Sequence, residues 1–318
     1  MRHVQLPSGD NIPILGLGTY LSPSEKIETA ILSALEAGYR HIDCAAIYGN
    51  EKEIGAALQK AFKKYPREEL WITSKLWCDS HAPEAVLPAL TKTMNDLGVD
   101  YLDLYLMHWP VALKSGVELP QCHDDYIALE EVPLRSTWKA MEDCADKELV
   151  RNIGVSNFST KKLQALLSTA AIPPAINQIE MHPYQQQRMQ RTFAHRHGIT
   201  LTAYCPLGSM GTHMTTPDGC TPPPLLKHPL IRTIANKHSC TPAQVLLAWI
   251  MKQGVVAIPK SISPKRIHEN AGALDICLDL NDMTAIRELD MGARIIDGNV
   301  FTLYNSPYTK ENIWDGER

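Results

Sequence analysis

The sequence predicts an α/β chain that closes as a (β/α)8 barrel, the TIM-barrel architecture, and three observations carry that prediction. Short apolar or β-branched runs alternate with amphipathic stretches at helical spacing along the chain. Eight such runs follow one another, enough to close a parallel barrel over about this length. The competing doubly wound sheet would open on Gly-x-Gly-x-x-Gly after its first strand; here Gly16-Leu17-Gly18 runs on to Leu21 where the third glycine should stand.

Ahead of the first unit, residues 2–15 hold the turn residues Ser8-Gly9-Asp10-Asn11 between two short apolar runs, which predicts a β-hairpin capping the barrel floor. The expected strands are Ile14–Gly18, Tyr39–Ala45, Leu70–Lys75, Leu102–His108, Ile153–Ser156, Ala175–Glu180, Thr200–Tyr204 and Val255–Pro259. Helical stripes run over Ser24–Glu36, where Ile27, Ile31, Leu32 and Leu35 share a face, and over Glu84–Leu97, Leu134–Lys147 and Thr160–Leu167. They continue over Gln187–His197, Thr241–Lys252 and Pro264–Ala273. Ser24 and Ser159 read as helix caps, and Pro242 as a first helical residue. Two connections exceed simple crossovers, Pro110–Pro133 and Pro206–Pro229. Both follow strands, so they are expected as long loops at the C-terminal face, where barrel sites are built. The tail from Gly292 carries Val300, Phe301, Leu303, Tyr304 and Trp314 and is expected to pack down.

The 318 residues, 44 % apolar and 21 % charged, suit one domain spanning 1–318. A net charge of −4 implies neither nucleic acid nor an anionic membrane as a partner. The first residues lack a signal-peptide pattern, and no run approaches the roughly 18 apolar residues of a membrane span. The eight cysteines are scattered without a Cys-x-x-Cys pair, which suits free thiols rather than a disulfide framework or a metal site. A cytoplasmic location follows, so the sequon at Asn157 is read as chance.

Four polar residues stand at consecutive strand ends or in the loops after them: Asp43, Tyr48, Lys75 and His108. Taken singly, Asp43 also reads as a helix cap, Tyr48 as a core ring with a wet hydroxyl, and His108 as a satisfied buried histidine. Lys75 is harder to dismiss, because an ammonium is almost never buried without a partner. Together they make a chemical proposal. Lys75 beside Tyr48 is expected to lower the phenol's pKa, so that Tyr48 hands a proton to a carbonyl oxygen. Asp43 would neutralise Lys75, and His108 would orient the same oxygen.

These residues sit in motifs that resemble the aldo-keto reductases, in particular the aldose and xylose reductase branch. GYRHIDCAAIYGNE (38–51), LYLMHWP (104–110), VRNIGVSNFS (150–159), INQIEMHPY (176–184), AYCPLGS (203–209) and AIPKSISPKRIHEN (257–270) occur in the family order, and the resemblance covers nearly the whole chain. It implies a (β/α)8 fold and a nicotinamide-dependent reductase with Asp43, Tyr48, Lys75 and His108 as its catalytic tetrad, Tyr48 being the general acid. It implies that Ser156, Asn157 and Gln178 bond the nicotinamide carboxamide, that Tyr204 stacks on the ring, and that Leu207 and Ser209 belong to the loop over the pyrophosphate. Lys260, Ser261 and Arg266 match positions that take the 2′-phosphate of NADPH, with Glu269 and Asn270 at the adenine. Two cations flanking a helix start also make a phosphate site on physical grounds. NADPH is therefore the expected cofactor, with NADH use left open.

Tyr20 stands where many relatives carry tryptophan, while Trp77 and Trp109 keep the apolar walls of the substrate pocket. Its hydroxyl suits a polyol, but the ring serves equally well as a packing surface, and both readings stand. VPLRSTWKAMEDC (132–144) resembles the sugar-reductase branch. The expected substrate is an aldose or a small reactive carbonyl, and the expected assembly a monomer or weak homodimer. Two alternatives stay in view: a ketone or steroid reductase of the same family, and a cofactor-binding barrel without turnover.

Overall fold

The computed structural model describes residues 2–128, 130–208 and 221–317. The strands are β1 (His3–Gln5), β2 (Asn11–Pro13), β3 (Leu17–Gly18), β4 (His41–Asp43), β5 (Trp71–Leu76), β6 (Leu102–Met107), β7 (Ala112–Leu113), β8 (Tyr126–Ile127), β9 (Val150–Ser156), β10 (Ile176–Glu180), β11 (Thr200–Tyr204) and β12 (Val256–Ala257). The helices are α1 (Ser24–Glu36), α2 (Glu51–Ala61), α3 (Pro83–Leu97), α4 (Leu134–Asp146), α5 (Thr160–Leu167), α6 (Arg188–His197), α7 (Pro229–Lys237), α8 (Pro242–Met251), α9 (Pro264–Ala271), α10 (Leu280–Arg287) and α11 (Lys310–Trp314). None of them is long and apolar enough to cross a membrane.

Eight strands pair in parallel in the order β3-β4-β5-β6-β9-β10-β11-β12. The sheet closes where Leu15 and Gly18 bridge Ala257 and Lys260, with the Gly16 amide donating to the Ala257 carbonyl at 2.9 Å. This is the (β/α)8 barrel the alternation predicts, and each expected strand falls on an observed one. β1 and β2 form the antiparallel floor hairpin. Leu6, just past β1, and Ile12 of β2 join Trp71, Leu104, Leu106, Ile176 and Val256 in a buried plug inside the barrel. A larger apolar layer lies between the sheet and the helices, which is why the helical stripes have one buried face.

Several expectations need correction. Ser24 does not cap α1: the cap position is Pro23, and the Ser24 hydroxyl donates instead to Glu53. Ser159 and Thr241 do cap, each accepting an amide hydrogen from the third helical residue. α2, α7, α10 and, in the tail, α11 answer to no expected helix. The first long connection folds its own hairpin, β7 with β8. In the tail, Phe301 and Trp314 are buried as expected, but Leu303 and Tyr304 stay exposed.

Gly154, midway along β9, lies where a Cβ would meet the Ile176 carbonyl oxygen at 2.6 Å and a Leu106 methyl at 2.8 Å. Backbone on the neighbouring strand cannot step aside without opening the β9–β10 pairing. Gly154→Ala should therefore cost about 1–3 kcal/mol, the usual penalty of overpacking. The check is a denaturant midpoint that falls at unchanged slope.

Candidate active site

Parallel strands deliver their last residues to one rim, so the polar residues predicted at strand ends meet at the C-terminal mouth. Asp43 closes β4 and Lys75 lies in β5, both essentially without solvent exposure. The Lys75 ammonium donates to Asp43 Oδ1 at 2.5 Å and to the Cys44 carbonyl at 2.7 Å. Its third contact is the Tyr48 hydroxyl at 3.5 Å. The other Asp43 oxygen accepts from Gln178 Nε2 at 2.7 Å, while Thr19 donates its hydroxyl to the Asp43 carbonyl. Every polar atom of the pair is therefore engaged, the condition under which a buried ion pair is tolerable. Burial alone would lower the Lys75 pKa, but Asp43 and Tyr48 outweigh it and the net shift is upward.

Tyr48 ends a short 3-10 turn, Ala46–Tyr48, that left-handed Gly49 terminates. It is half-buried, with its hydroxyl turned toward Lys75. Enclosure pushes the phenol up to about 12, and Lys75 draws it only part of the way back. The expected lowering is thus reversed: at 3.5 Å, with Lys75 committed to Asp43, the attraction is smaller than the desolvation cost. The phenol stays protonated at neutral pH, the form in which it can donate.

His108 follows β6 and sits edge-on to Tyr48 and Trp77, with ring centroids 5.9 and 5.1 Å away. Burial first, then Lys75 and His81, hold its pKa well below 6.5, so the ring is neutral. Its Nδ1 is enclosed without a hydrogen-bond partner.

Next along the same rim, just after β9, Asn157, in a left-handed conformation (φ 62°), donates to the His108 carbonyl at 3.0 Å and to Ser156 Oγ at 3.2 Å. Its amide oxygen accepts from the Tyr204 hydroxyl at 2.6 Å, pinning that ring at the end of β11. Ser156 donates to the Gln178 carbonyl at 2.9 Å. Ser156, Asn157, Gln178 and Tyr204 therefore converge beside the Asp43–Lys75 pair, on one side of the mouth. Leu207 is half-buried against the core. Ser209 lies outside the described residues.

Lys260 and Arg266 flank the start of α9, whose first turn is capped by Ser263. Lys260 donates to the Leu21 carbonyl at 2.9 Å, and neither cation has an anionic partner among the described residues. Partial burial first, then Arg266, pull the Lys260 pKa down. Two uncompensated cations at a helix N-terminus fit the phosphate of a nucleotide cofactor. Ser261 and Asn270 are buried nearby; Glu269 is half-buried, and its carbonyl is taken by Gln244.

The residues expected to wall the substrate pocket are aromatic. Tyr20 is 53 % exposed with its ring 5.0 Å from that of Tyr48, whereas Trp77 and Trp109 are buried. Phe301 of the tail packs on both tryptophans, and Trp314 packs on Trp109 at 5.7 Å. Sequence reasoning gave Phe301 and Trp314 only a packing role and missed the Cys44 carbonyl altogether. A backbone acceptor leaves no mark in residue identity.

A parallel eight-stranded barrel with an ionisable cluster at its C-terminal mouth defines an α/β-barrel enzyme. The chain belongs to the aldo/keto reductase family, whose pattern matches residues 14–291. It is 50 % identical to an aldo/keto reductase of Synechocystis over 317 residues, covering 99 % of this chain and 97 % of that protein. It is 43 % identical to mouse aldo-keto reductase family 1 member A1 over 297 residues, covering 92 % of this chain and 90 % of that one. The aldose reductase structure from Schistosoma japonicum superposes with a TM-score of 0.86 at 39 % identity, covering 93 % of this chain and 95 % of that chain. The protein is accordingly an NAD(P)H-dependent oxidoreductase of small carbonyl compounds.

The mouth and the barrel interior make acid sensitivity predictable. His41, His81 and His108 are buried, with pKa values lowered by burial to about 4, to about 3 and well below 6.5 respectively. Above the unfolded pKa of 6.5 these rings are neutral in both states and contribute nothing to the pH dependence. Below it the unfolded chain takes up protons that the folded chain refuses, so stability falls, by up to about 1.4 kcal/mol per pH unit for each ring. Denaturant unfolding should show a lower stability at pH 5 than at pH 7; equal stability at the two values would contradict this assignment.

Proposed function

We propose that this chain, folded as one aldo-keto reductase-like domain over residues 1–318, uses NADPH to reduce aldehydes, in particular aldoses or small reactive carbonyls, to alcohols. The observation that carries the reading is the buried Lys75 ammonium shared between Asp43 and the Tyr48 hydroxyl. A structural barrel has no need to bury a cation against a phenol at its open rim.

Lys260, Ser261 and Arg266 would hold the 2′-phosphate, Glu269 and Asn270 the adenine, and Leu207 the pyrophosphate side. Ser156, Asn157 and Gln178 would hold the carboxamide, with the Tyr204 ring as the platform beneath the nicotinamide. When bound, the reduced nicotinamide supplies a hydride to the carbonyl carbon. Tyr48 delivers the proton to the carbonyl oxygen as negative charge grows there, and the product is an alcohol. Lys75 stabilises the phenolate that proton transfer leaves behind, and Asp43 keeps Lys75 charged and aimed. Neutral His108 donates a hydrogen bond from Nε2 to the same oxygen, selecting a productive orientation. A phenol pushed up to about 12 is a weak acid before substrate binds, so the transfer depends on charge developing on the oxygen. Trp77 and Trp109 exclude water from this exchange, and Tyr20 meets the distal part of the substrate at the rim.

Tyr48→Phe removes the proton donor and little else. Carbonyl-dependent NADPH oxidation should fall by about 10²–10⁴-fold, the usual worth of a general acid, while NADPH affinity measured by fluorescence stays close to wild type. Retained turnover would sink the assignment of Tyr48. Arg266→Ala should weaken NADPH binding by about tenfold, the lower end of what a charge-assisted hydrogen bond is worth, and leave NADH nearly unaffected. Equal losses for the two cofactors would show that Arg266 does not face the 2′-phosphate.

A further inference from the structure

The described chain closes on a lock that the catalytic reading does not use. α11 is only five residues long, too short to hold its own shape. Yet its last residue, Trp314, packs on Trp109, the side chain next to His108. A set of contacts to the start of α5 holds Trp314 there. The Lys162 ammonium, with its side chain 10 % exposed, donates to the carbonyls of Asn312 and Ile313 at 2.5 and 3.0 Å and to Asp315 Oδ2 at 2.6 Å. Ser159, the α5 cap, donates to the same carboxylate oxygen at 2.5 Å. Thr160 binds Glu317 through its amide at 2.7 Å and also through its hydroxyl, and Gln190 of α6 donates to the other Glu317 oxygen at 2.7 Å.

Three features show that these contacts do more than tidy the end of a chain. Lys162 takes the otherwise orphaned final carbonyls of α11 and the Asp315 carboxylate at once, so a single ammonium fixes both the helix and the residue just past its end. Trp314 is held from its other side as well, its indole donating to the Asp297 carbonyl at 2.7 Å and its ring lying 3.6 Å beneath the Arg294 guanidinium. And the anchoring residues Ser159 and Thr160 come directly after Asn157 and Phe158, the turn that carries the rim of the mouth.

We propose that Asp315–Glu317, locked onto Ser159, Thr160 and Lys162, is a specificity device: it clamps Trp314 against Trp109 and so sets the width of the substrate pocket's apolar wall, admitting small carbonyl compounds in preference to bulky ones. The pocket half of this proposal rests on the carbonyl-reductase reading above. The lock itself does not. Lys162 touches neither the catalytic cluster nor the cofactor residues, so it is a positioning residue for Trp314 and, through it, for Trp109.

The experiment pairs amide hydrogen exchange of residues 310–317 with kcat/KM for glyceraldehyde and for a two-ring aromatic aldehyde, in wild type, Lys162→Met and Lys162→Arg. In Lys162→Met exchange should accelerate about tenfold as the segment opens locally. The ratio of kcat/KM for the bulky over the small aldehyde should rise by about threefold, through KM rather than kcat. NADPH affinity should stay near wild type, and Lys162→Arg, which keeps the charge and the donors, should restore both readouts. Unchanged exchange in Lys162→Met overturns the lock. Faster exchange with an unchanged substrate ratio overturns the specificity role, as does an equal loss of kcat and NADPH affinity. A wild type inactive on every carbonyl refutes the functional reading and the pocket half with it, while the exchange arm still judges the lock. Glu317→Gln, which weakens only the outer contact, should move both readouts the same way by a smaller amount and serves if Lys162→Met does not fold.

Discussion

The buried ammonium of Lys75 is the constraint around which the mouth of this barrel is arranged. An ammonium with no solvent exposure is tolerable only when its donors and its charge are all answered, and here the answers come from Asp43 on the neighbouring strand, the Cys44 carbonyl and the Tyr48 hydroxyl. Asp43 is in turn held by Gln178 from across the barrel and by Thr19, just after β3. One charge thus ties together residues from four strands or the loops behind them. The catalytic proposal uses that rigidity for a single geometric fact, a phenol within reach of a cation that cannot move away.

Barrel topology explains why these residues meet. Parallel pairing in sequence order sends each strand's last residue to the same rim, and the short bridges from Leu15 and Gly18 to Ala257 and Lys260 complete the ring. The arrangement leaves an open top, and the chain covers it with segments that are not barrel units. The β7–β8 hairpin and the tail bring Tyr126, Phe301, Tyr308 and Trp314 over Trp77 and Trp109 as a separate apolar cluster.

Much of this is legible in the sequence, for identifiable reasons. Strand ends can be read because apolar runs stop at Asp43, Lys75 and His108, and a lysine in an apolar strand demands a partner. α2 escapes notice because its buried stripe is built largely from Ile54, Gly55, Ala57 and Leu58, too little bulk for a clear helical period. Ser24 misleads because capping depends on backbone angles, and the chain enters α1 one residue earlier, at Pro23. The acidity of Tyr48 runs opposite to expectation because it is a balance between desolvation and a 3.5 Å contact, and residue type reveals neither magnitude. The lock between Lys162 and Asp315 joins residues 153 positions apart, which no local pattern announces.

If Asp43 and Lys75 act as one unit upon Tyr48, a double-mutant cycle on kcat will reveal the coupling, with Asp43→Asn, Lys75→Met and the combined variant compared to wild type under saturating NADPH. Strong non-additivity is expected: each single change should cost turnover heavily, and the double variant should be no worse than Lys75→Met alone, because removing the ammonium removes the reason for the carboxylate. Losses that multiply would mean that the two residues contribute independently, and the arrangement described here would not be the source of the activity.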